Sequence, residues 1–387
     1  MQAMMEKRAI ELLQNGTVNR VLGWSAGEFP YDMTPAVFES VEELQNNFVY
    51  NDFCGANLSK YLIKESRKEG KILVFLKPCD TYSFNQLIAE HRVLGWSAGE
   101  FPYDMTPAVF ESVKELQDNF VYNDFCGANL SKYLIKESRK EGKILVFLKP
   151  CDTYSFNQLI AEHRVLRENV YVIGIECFGK VDVEKLKAMG LSGITGIIAK
   201  NGVYTVETVY GNKEVKMADA MAERCLSCKS KKHVVYDELI GEDGEVVDDC
   251  NRFDMVEKLE NMTPDERFAF WRGELSRCIR CNACRNVCPA CTCEHCVFDN
   301  PNSGIAQKAA VNSFEENMFH IIRAFHVAGR CTDCGECSRV CPQNIPLHLL
   351  NRKFIKDMNE FYGEYQAGAD PDAKPPLGTF TKDDREA

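Results

Sequence analysis

The pattern C-x2-C-x2-C-x3-C-P occurs twice in this chain, as Cys278, Cys281, Cys284, Cys288 and Pro289, and as Cys331, Cys334, Cys337, Cys341 and Pro342. The first run opens CIRCNACRNVCPACTCEHC, residues 278–296, with seven cysteines in nineteen positions. Thiols at this density either cross-link or ligate. The chain begins MQAMMEKRAIELL, with Glu6 and Glu11 where an export leader would need an unbroken apolar stretch, so a cytoplasmic, reducing location is expected. There the nineteen cysteines of the chain are expected as thiolate ligands or nucleophiles rather than as disulfides.

The spacing chooses the metal. Three cysteines at successive x2 intervals form a tight loop that aims three sulfurs at three irons of one cubane, while the loop amides face the cluster sulfides. The fourth cysteine, before proline, reaches the other cluster. The expected crossed sets are therefore Cys278, Cys281, Cys284 with Cys341, and Cys331, Cys334, Cys337 with Cys288, holding two 4Fe-4S clusters. Structural zinc usually takes two spaced ligand pairs instead. Cys291, Cys293 and Cys296, beside His295, are left over. They either complete another metal site or pack as small hydrophobes beside a cluster.

Upstream, the residues read as an α/β domain. SKYLIKESRKEG reads as a helix closed by Gly142, KILVFL as a short apolar strand, TYSFNQLIAEHRVLREN as a helix and NVYVIGIEC as a second strand. A strand–helix–strand unit implies a parallel pair with a right-handed crossover. Cys151 in KPCD and Cys177 in IECFG then fall just beyond the carboxyl ends of consecutive strands, the edge where open parallel sheets bind ligands. With the Cys225-x2-Cys228 pair they form a candidate third cubane. That pair taken alone could equally be a zinc, redox or incidental feature. Cys126 and Cys250 are substitutes, and Cys54 and Cys79 are the repeat counterparts of Cys126 and Cys151. Residues 195–217 alternate like antiparallel strands extending the sheet.

Thr263, Pro264 and Glu266 form a capping box opening a helix toward Cys278. Between the cysteine runs, Phe314, Met318, Ile321, Ile322 and Phe325 recur at helical spacing. His233, His320 and His326 are isolated, and the last two are expected as satisfied core histidines. The acidic run 237–249 is expected as a solvated loop.

Residues 23–94 recur as 95–166 with two differences, Glu42 against Lys114 and Asn46 against Asp118. Solenoids stack three or more units between atypical caps, so a lone pair of near-identical copies reads as a tandem duplication. The expected organisation is an N-terminal helix over 1–22, copy one over 23–94, an α/β domain over 95–250 with a partly parallel sheet, a mainly helical ferredoxin-like domain with two clusters over 251–360, and a polar tail over 361–387.

No G-x-G-x-x-G after a strand, P-loop or G-x-S-x-G is present. A net charge of -11 argues against nucleic acid and anionic membrane surfaces and suits protein partners. No apolar run is long enough to span a bilayer.

KPCD after one strand, IGIECFG after the next, and CLSC followed by DELIGEDG make residues 95–250 resemble the coenzyme F-420 hydrogenase/dehydrogenase beta family, which includes formate dehydrogenase beta subunits. Residues 263–355 are similar to the dicluster modules of heterodisulfide reductase, sulfhydrogenase beta and anaerobic sulfite reductase subunits, and CPACTC resembles the last two. The resemblance implies a flavin such as FAD, electron exchange between a deazaflavin or nicotinamide and iron–sulfur clusters, and redox partner subunits. The expected function is an iron–sulfur electron-transfer subunit of an anaerobic oxidoreductase such as a hydrogenase, formate dehydrogenase or heterodisulfide-reductase-type complex. Alternatives are a catalytic flavoprotein subunit acting on a deazaflavin or nicotinamide, and a zinc-binding scaffold.

Overall fold

The structure is a computed structural model that describes residues 2–27, 33–51, 70–75, 92–200, 202–244, 251–300 and 312–377, with Cys54, Leu58, Tyr61, Leu62, Glu65, Lys68 and Asn302. It divides into two compact units, residues 1–92 with 111–117, and residues 93–110 with 118–387.

The first unit holds the helix Gln2–Gln14 and a three-stranded sheet of β1 (Arg20–Ala26), β2 (Met33–Phe38) and β3 (Ile72–Val74) in the order β2-β1-β3. β1 pairs antiparallel with β2 and parallel with β3. Trp24, Leu22 and Leu44 fill its core.

The second unit is built on a five-stranded sheet of β4 (Arg92–Ala98), β5 (Met105–Phe110), β6 (Ile144–Leu148), β7 (Val170–Ile175) and β11 (Glu238–Ile240), ordered β11-β7-β6-β4-β5. β6, β7 and β11 run parallel, while β4 and β5 are antiparallel. ILVFL is apolar throughout because helices or loops cover both of its faces, and Ile144, Val146 and Leu148 are fully buried. The duplication is visible in register. Trp24 faces Pro35 on β1–β2, and Trp96 faces Pro107 on β4–β5. RVL at 20–22 and 92–94 begins β1 and β4, yet at 164–166 the same letters lie outside any strand, before the turn Arg167–Asn169.

The parallel crossover is borne out with shifted boundaries. Its helix is Pro150–Ala161, starting three residues before the reading because Pro150 takes the first position and Asp152 caps the Lys149 amide. It ends before His163, whose φ of 54° no helix continues. The SKYLIKESRKEG stretch is shorter than read, a turn at Ser131–Tyr133 and a helix over Leu134–Glu137. Residues 195–217 do hold antiparallel strands, β8 (Ile194–Lys200), β9 (Val203–Thr208) and β10 (Lys213–Lys216). They form a separate sheet with its own core around Tyr204 and Val206, rather than an extension of the main sheet. The acidic run also differs from the reading, since β11 begins inside it and Asp237 accepts the Val172 amide and an Arg167 bond. Residues 245–249 lie outside the described residues.

The remaining helices of this unit include Pro264–Leu275, opened by the Thr263–Glu266 capping box as read, then Ser313–Phe325 and His348–Tyr362. The apolar stripe of Ser313–Phe325 faces outward, with Phe314, Met318, Ile321 and Phe325 exposed, while Phe319, His320, Arg323 and Ala324 are buried. Part of the expected tail packs as well. Ala367 is buried, and Gly368 passes so close to the Tyr154 carbonyl that a side chain there would clash. Among the described residues no helix is long and apolar enough to cross a membrane.

Candidate metal centres

The two cysteine runs fold into matching loops. Arg280 and Asn282 in the first, and Asp333 and Gly335 in the second, all have φ between 55° and 67°. Left-handed residues alternating with ordinary ones turn successive amides into one concavity, the anion nest expected to face cluster sulfides. Holding three non-glycine residues there costs about 1–3 kcal/mol each, a strain that persists where the surroundings over-determine it. Each loop feeds a short helix, Ala283–Val287 or Glu336–Arg339, which carries the third cysteine. The Arg280 amide donates to Cys278 Sγ at 3.4 Å, and Asn351 Nδ2 donates to Cys337 Sγ at 3.7 Å.

The expected sets share cavities. Cys278, Cys281, Cys284 and Cys341 line one, joined by His320. Cys331, Cys334, Cys337 and Cys288 line a second, with Asp333 and Glu336 on its wall. Cys151, Cys177, Cys225 and Cys228 line a third, among Lys149, Lys180, Arg224 and Lys231. Cys151 is in the first turn of its helix and Cys177 lies two residues beyond β7, so the strand–helix–strand unit delivers both to one sheet edge. Among the described residues no three such donors are gathered tightly enough to share a single ion. A cubane places each thiolate on its own iron.

The cavities adjoin in order. Cys284 and Cys337 pack in one apolar cluster, linking the first two sets. Asp333 and Cys334 line both the second and the third. Arg224 bridges there, its guanidinium donating to the Cys334 carbonyl at 2.6 Å, to Glu336 at 2.7 Å and to the Gly127 carbonyl at 2.9 Å. Burial alone would raise Glu336, but the Arg339 and Arg224 charges outweigh it and hold the carboxyl at about 2.

Burial pushes the Cys228 thiol up to about 11 and Cys337 to about 12, and raises Cys151 and Cys334 well above the usual range. Iron must therefore displace protons as it binds. Cys288 goes the other way. Cys291 donates its S–H to it, and that bond, against burial and with help from Arg323 and Lys132, brings Cys288 to about 6.

Cys126, named as a substitute ligand, lines none of the three cavities. It is fully buried, accepts the Asn123 amide at 3.3 Å and donates to the Val121 carbonyl, and Cys54 repeats these contacts with Asn51 and Val49. Cys79 and Cys250 lie outside the described residues. Cys293 is exposed, and Cys291, Cys293 and Cys296 line a cavity of about 880 Å³ with Lys132, Arg139 and Arg164. Cys291 packs beside Cys288, Ala290 and Val327 as the hydrophobe reading expects, whereas the exposed Cys293 does not.

Three residues carry environments the sequence did not announce. Arg323 is 1% exposed, and none of its three nitrogens has a hydrogen-bond partner among the described residues. His320, also 1% exposed, leaves both ring nitrogens unpartnered, and burial followed by the Arg323 and Arg280 charges lowers it to about 3. It is a core histidine but not a satisfied one, and His326 is exposed. His233 is buried between Asp243 and the Leu148 carbonyl, a clamp on the end of β6. A charged residue on an amphipathic helix reads as solvated by default, so only the buried face revealed Arg323.

Residues 274–345 match the family described as 4Fe-4S dicluster domain. The chain is 22% identical over 342 residues to the F420-dependent formate dehydrogenase subunit beta of Methanocaldococcus jannaschii, covering 74% of this chain and 89% of that one. It is 25% identical over 349 residues to the F420-dependent formate dehydrogenase 1 subunit beta of Methanococcus maripaludis, covering 74% and 88%. A solved structure, the xenon-derivatized F420-reducing NiFe hydrogenase complex from Methanosarcina barkeri, aligns with a TM-score of 0.32 and 13% identity over 47% of this chain and 71% of that one. The resemblance to formate dehydrogenase beta subunits with a 4Fe-4S dicluster module is borne out.

Proposed function

We propose that this chain is an iron–sulfur electron-transfer subunit of a multisubunit oxidoreductase of the formate dehydrogenase or hydrogenase type, carrying three 4Fe-4S clusters in series. The observation that supports this reading is the adjacency of the three cysteine sets: Asp333 and Cys334 line both the second and the third cavity, and Cys284 and Cys337 of the first and second sets pack in one apolar cluster. The clusters, when bound, supply one-electron storage and transfer. Cys278, Cys281, Cys284 and Cys341 hold the first, Cys331, Cys334, Cys337 and Cys288 the second, and Cys151, Cys177, Cys225 and Cys228 the third.

The protein's own part is positioning and electrostatics. The left-handed residues of the loops aim amides inward. Lys149, Lys180, Arg224 and Lys231 oppose the negative charge of four thiolates in the third cavity. Glu336, buried between Arg224 and Arg339 and accepting the Asn129 amide at 3.1 Å, fastens the second loop to the α/β layer. The order of the cavities gives electrons a path from the sheet edge to the Cys278 loop, or the reverse, and redox partner subunits supply both ends.

Electron paramagnetic resonance of the dithionite-reduced chain tests the series. Clusters this close are expected to broaden one another's signals by spin coupling. Superposed, uncoupled cubane spectra would contradict it.

A second reading, a flavoprotein subunit, is favoured by one observation. The cavity of about 880 Å³ beside Cys291 presents Lys132, Arg139, Arg164 and Arg285, cations suited to the phosphates of FAD. Flavin released by acid from the purified chain, near one per chain, is its expected signature, and flavin-free protein would remove it.

A further inference from the structure

Arg323 belongs to the helix Ser313–Phe325, whose inward face carries His320 and Arg323 one turn apart. A guanidinium remains charged in any protein environment. Burying one without a partner costs several kcal/mol, so a lone buried arginine points to an anion that completes it. The charged groups with the largest influence on Arg323 are Cys337, Cys284, Cys288 and Cys291, in that order, thiols rather than carboxylates. Cys284 belongs to the first ferredoxin set, Cys337 and Cys288 to the second. None of the thiols of the third set is among them.

We infer that Arg323 is the shared counter-charge of the two ferredoxin-type clusters and sets their reduction potentials. The inference rests on the cluster reading given above. A 4Fe-4S core held by four thiolates is anionic, and taking up one electron makes it more so. A fixed cation acting on two such groups therefore stabilises the reduced form of each more than the oxidised form and raises both potentials. The low-dielectric surroundings strengthen the effect, and the bound anions in turn relieve the desolvated guanidinium. His320, on the wall of the first cavity with both ring nitrogens free of hydrogen bonds among the described residues, adds a neutral donor to that site alone.

The experiment is a mediator-poised redox titration followed by electron paramagnetic resonance on the iron-loaded full chain, parent against Arg323→Gln and Arg323→Lys, with iron and sulfide measured on each. Arg323→Gln is expected to lower the reduction equilibrium constant of both ferredoxin-type clusters at least tenfold, about 59 mV for a one-electron couple. The third cluster is the internal control and stays at its parent potential. Arg323→Lys, which keeps the charge, is expected near the parent. Unchanged potentials in Arg323→Gln at full iron content would overturn the inference, as would an equal shift of all three clusters. If Arg323→Gln fails to load iron, Arg323→Lys decides. Full loading with parent-like potentials upholds the role of charge, and a shift to more negative potential overturns it. A parent chain lacking cubanes would instead remove the cluster reading itself.

Discussion

Single residues decide which thiols ligate. Cys126 is buried and Cys151 half-buried in the α/β layer, but Cys126 closes a turn through Asn123 and Val121, whereas Cys151 lines a cavity with three other thiols. Cys151→Ser is therefore expected to remove about four irons per chain while Cys126→Ser removes none, measured by colorimetric iron assay on anaerobic protein. Glu336 anchors the second loop through two arginines and an amide, and removing one partner of a buried pair strands the others. Glu336→Ala is expected to cost about 3–5 kcal/mol in anaerobic urea unfolding. A cost below about 1 kcal/mol would show that Arg224 and Arg339 find other partners. At this scale the two ferredoxin-type cysteine runs were legible because their spacing is fixed, and each expected set lines one cavity. Arg323, His320 and Glu336 were not, because burial of a charge is a property of the tertiary partners and leaves no local signature.

Elements bring these residues together. The β6 strand, the Pro150 helix and β7 could be read from apolar runs, but the helix start could not be placed from propensity, since Pro150 and Asp152 act as a first turn only once Lys149 is extended. Periodicity marked the helix Ser313–Phe325 correctly and still misdirects about its faces. The regular apolar stripe is exposed, and the buried face carries Arg323, with His320 on the first cysteine cavity and Phe319 under Arg280 of the first loop. The loops themselves depend on left-handed residues, and Gly335 shows why. Its φ is 67°, and a Cβ there would stand 2.5 Å from Arg224 Cδ. Gly335→Ala is expected to disturb the bridge to Glu336 and lower occupancy of the second cluster, seen as a fall of about four irons with the others retained. Full iron content in that variant would contradict the nest account. Antiparallel alternation over 195–217 was legible, but sheet membership was not, because that depends on distant partners.

Across the whole molecule, the duplication and the cluster-bearing unit are separable statements. All twelve expected ligands lie after residue 150, and deleting 23–94 rejoins Leu22 to Gly95 in the same local sequence. That deletion is expected to leave iron and sulfide per chain unchanged; loss of either would show that copy one supports the centres. The α/β layer and the ferredoxin-like segment, read as two domains, occupy one compact unit, consistent with the bonds that the Asn129 amide and the Arg224 guanidinium donate across to the buried Glu336. Spacing announced the two ferredoxin-type cysteine runs, while the adjacency of the cavities needed the fold. The measurement that tests the central claim most directly is iron and acid-labile sulfide per chain after purification without oxygen. Three cubanes require about twelve of each, and about eight would return Cys151, Cys177, Cys225 and Cys228 to another use and end the series at the second cluster.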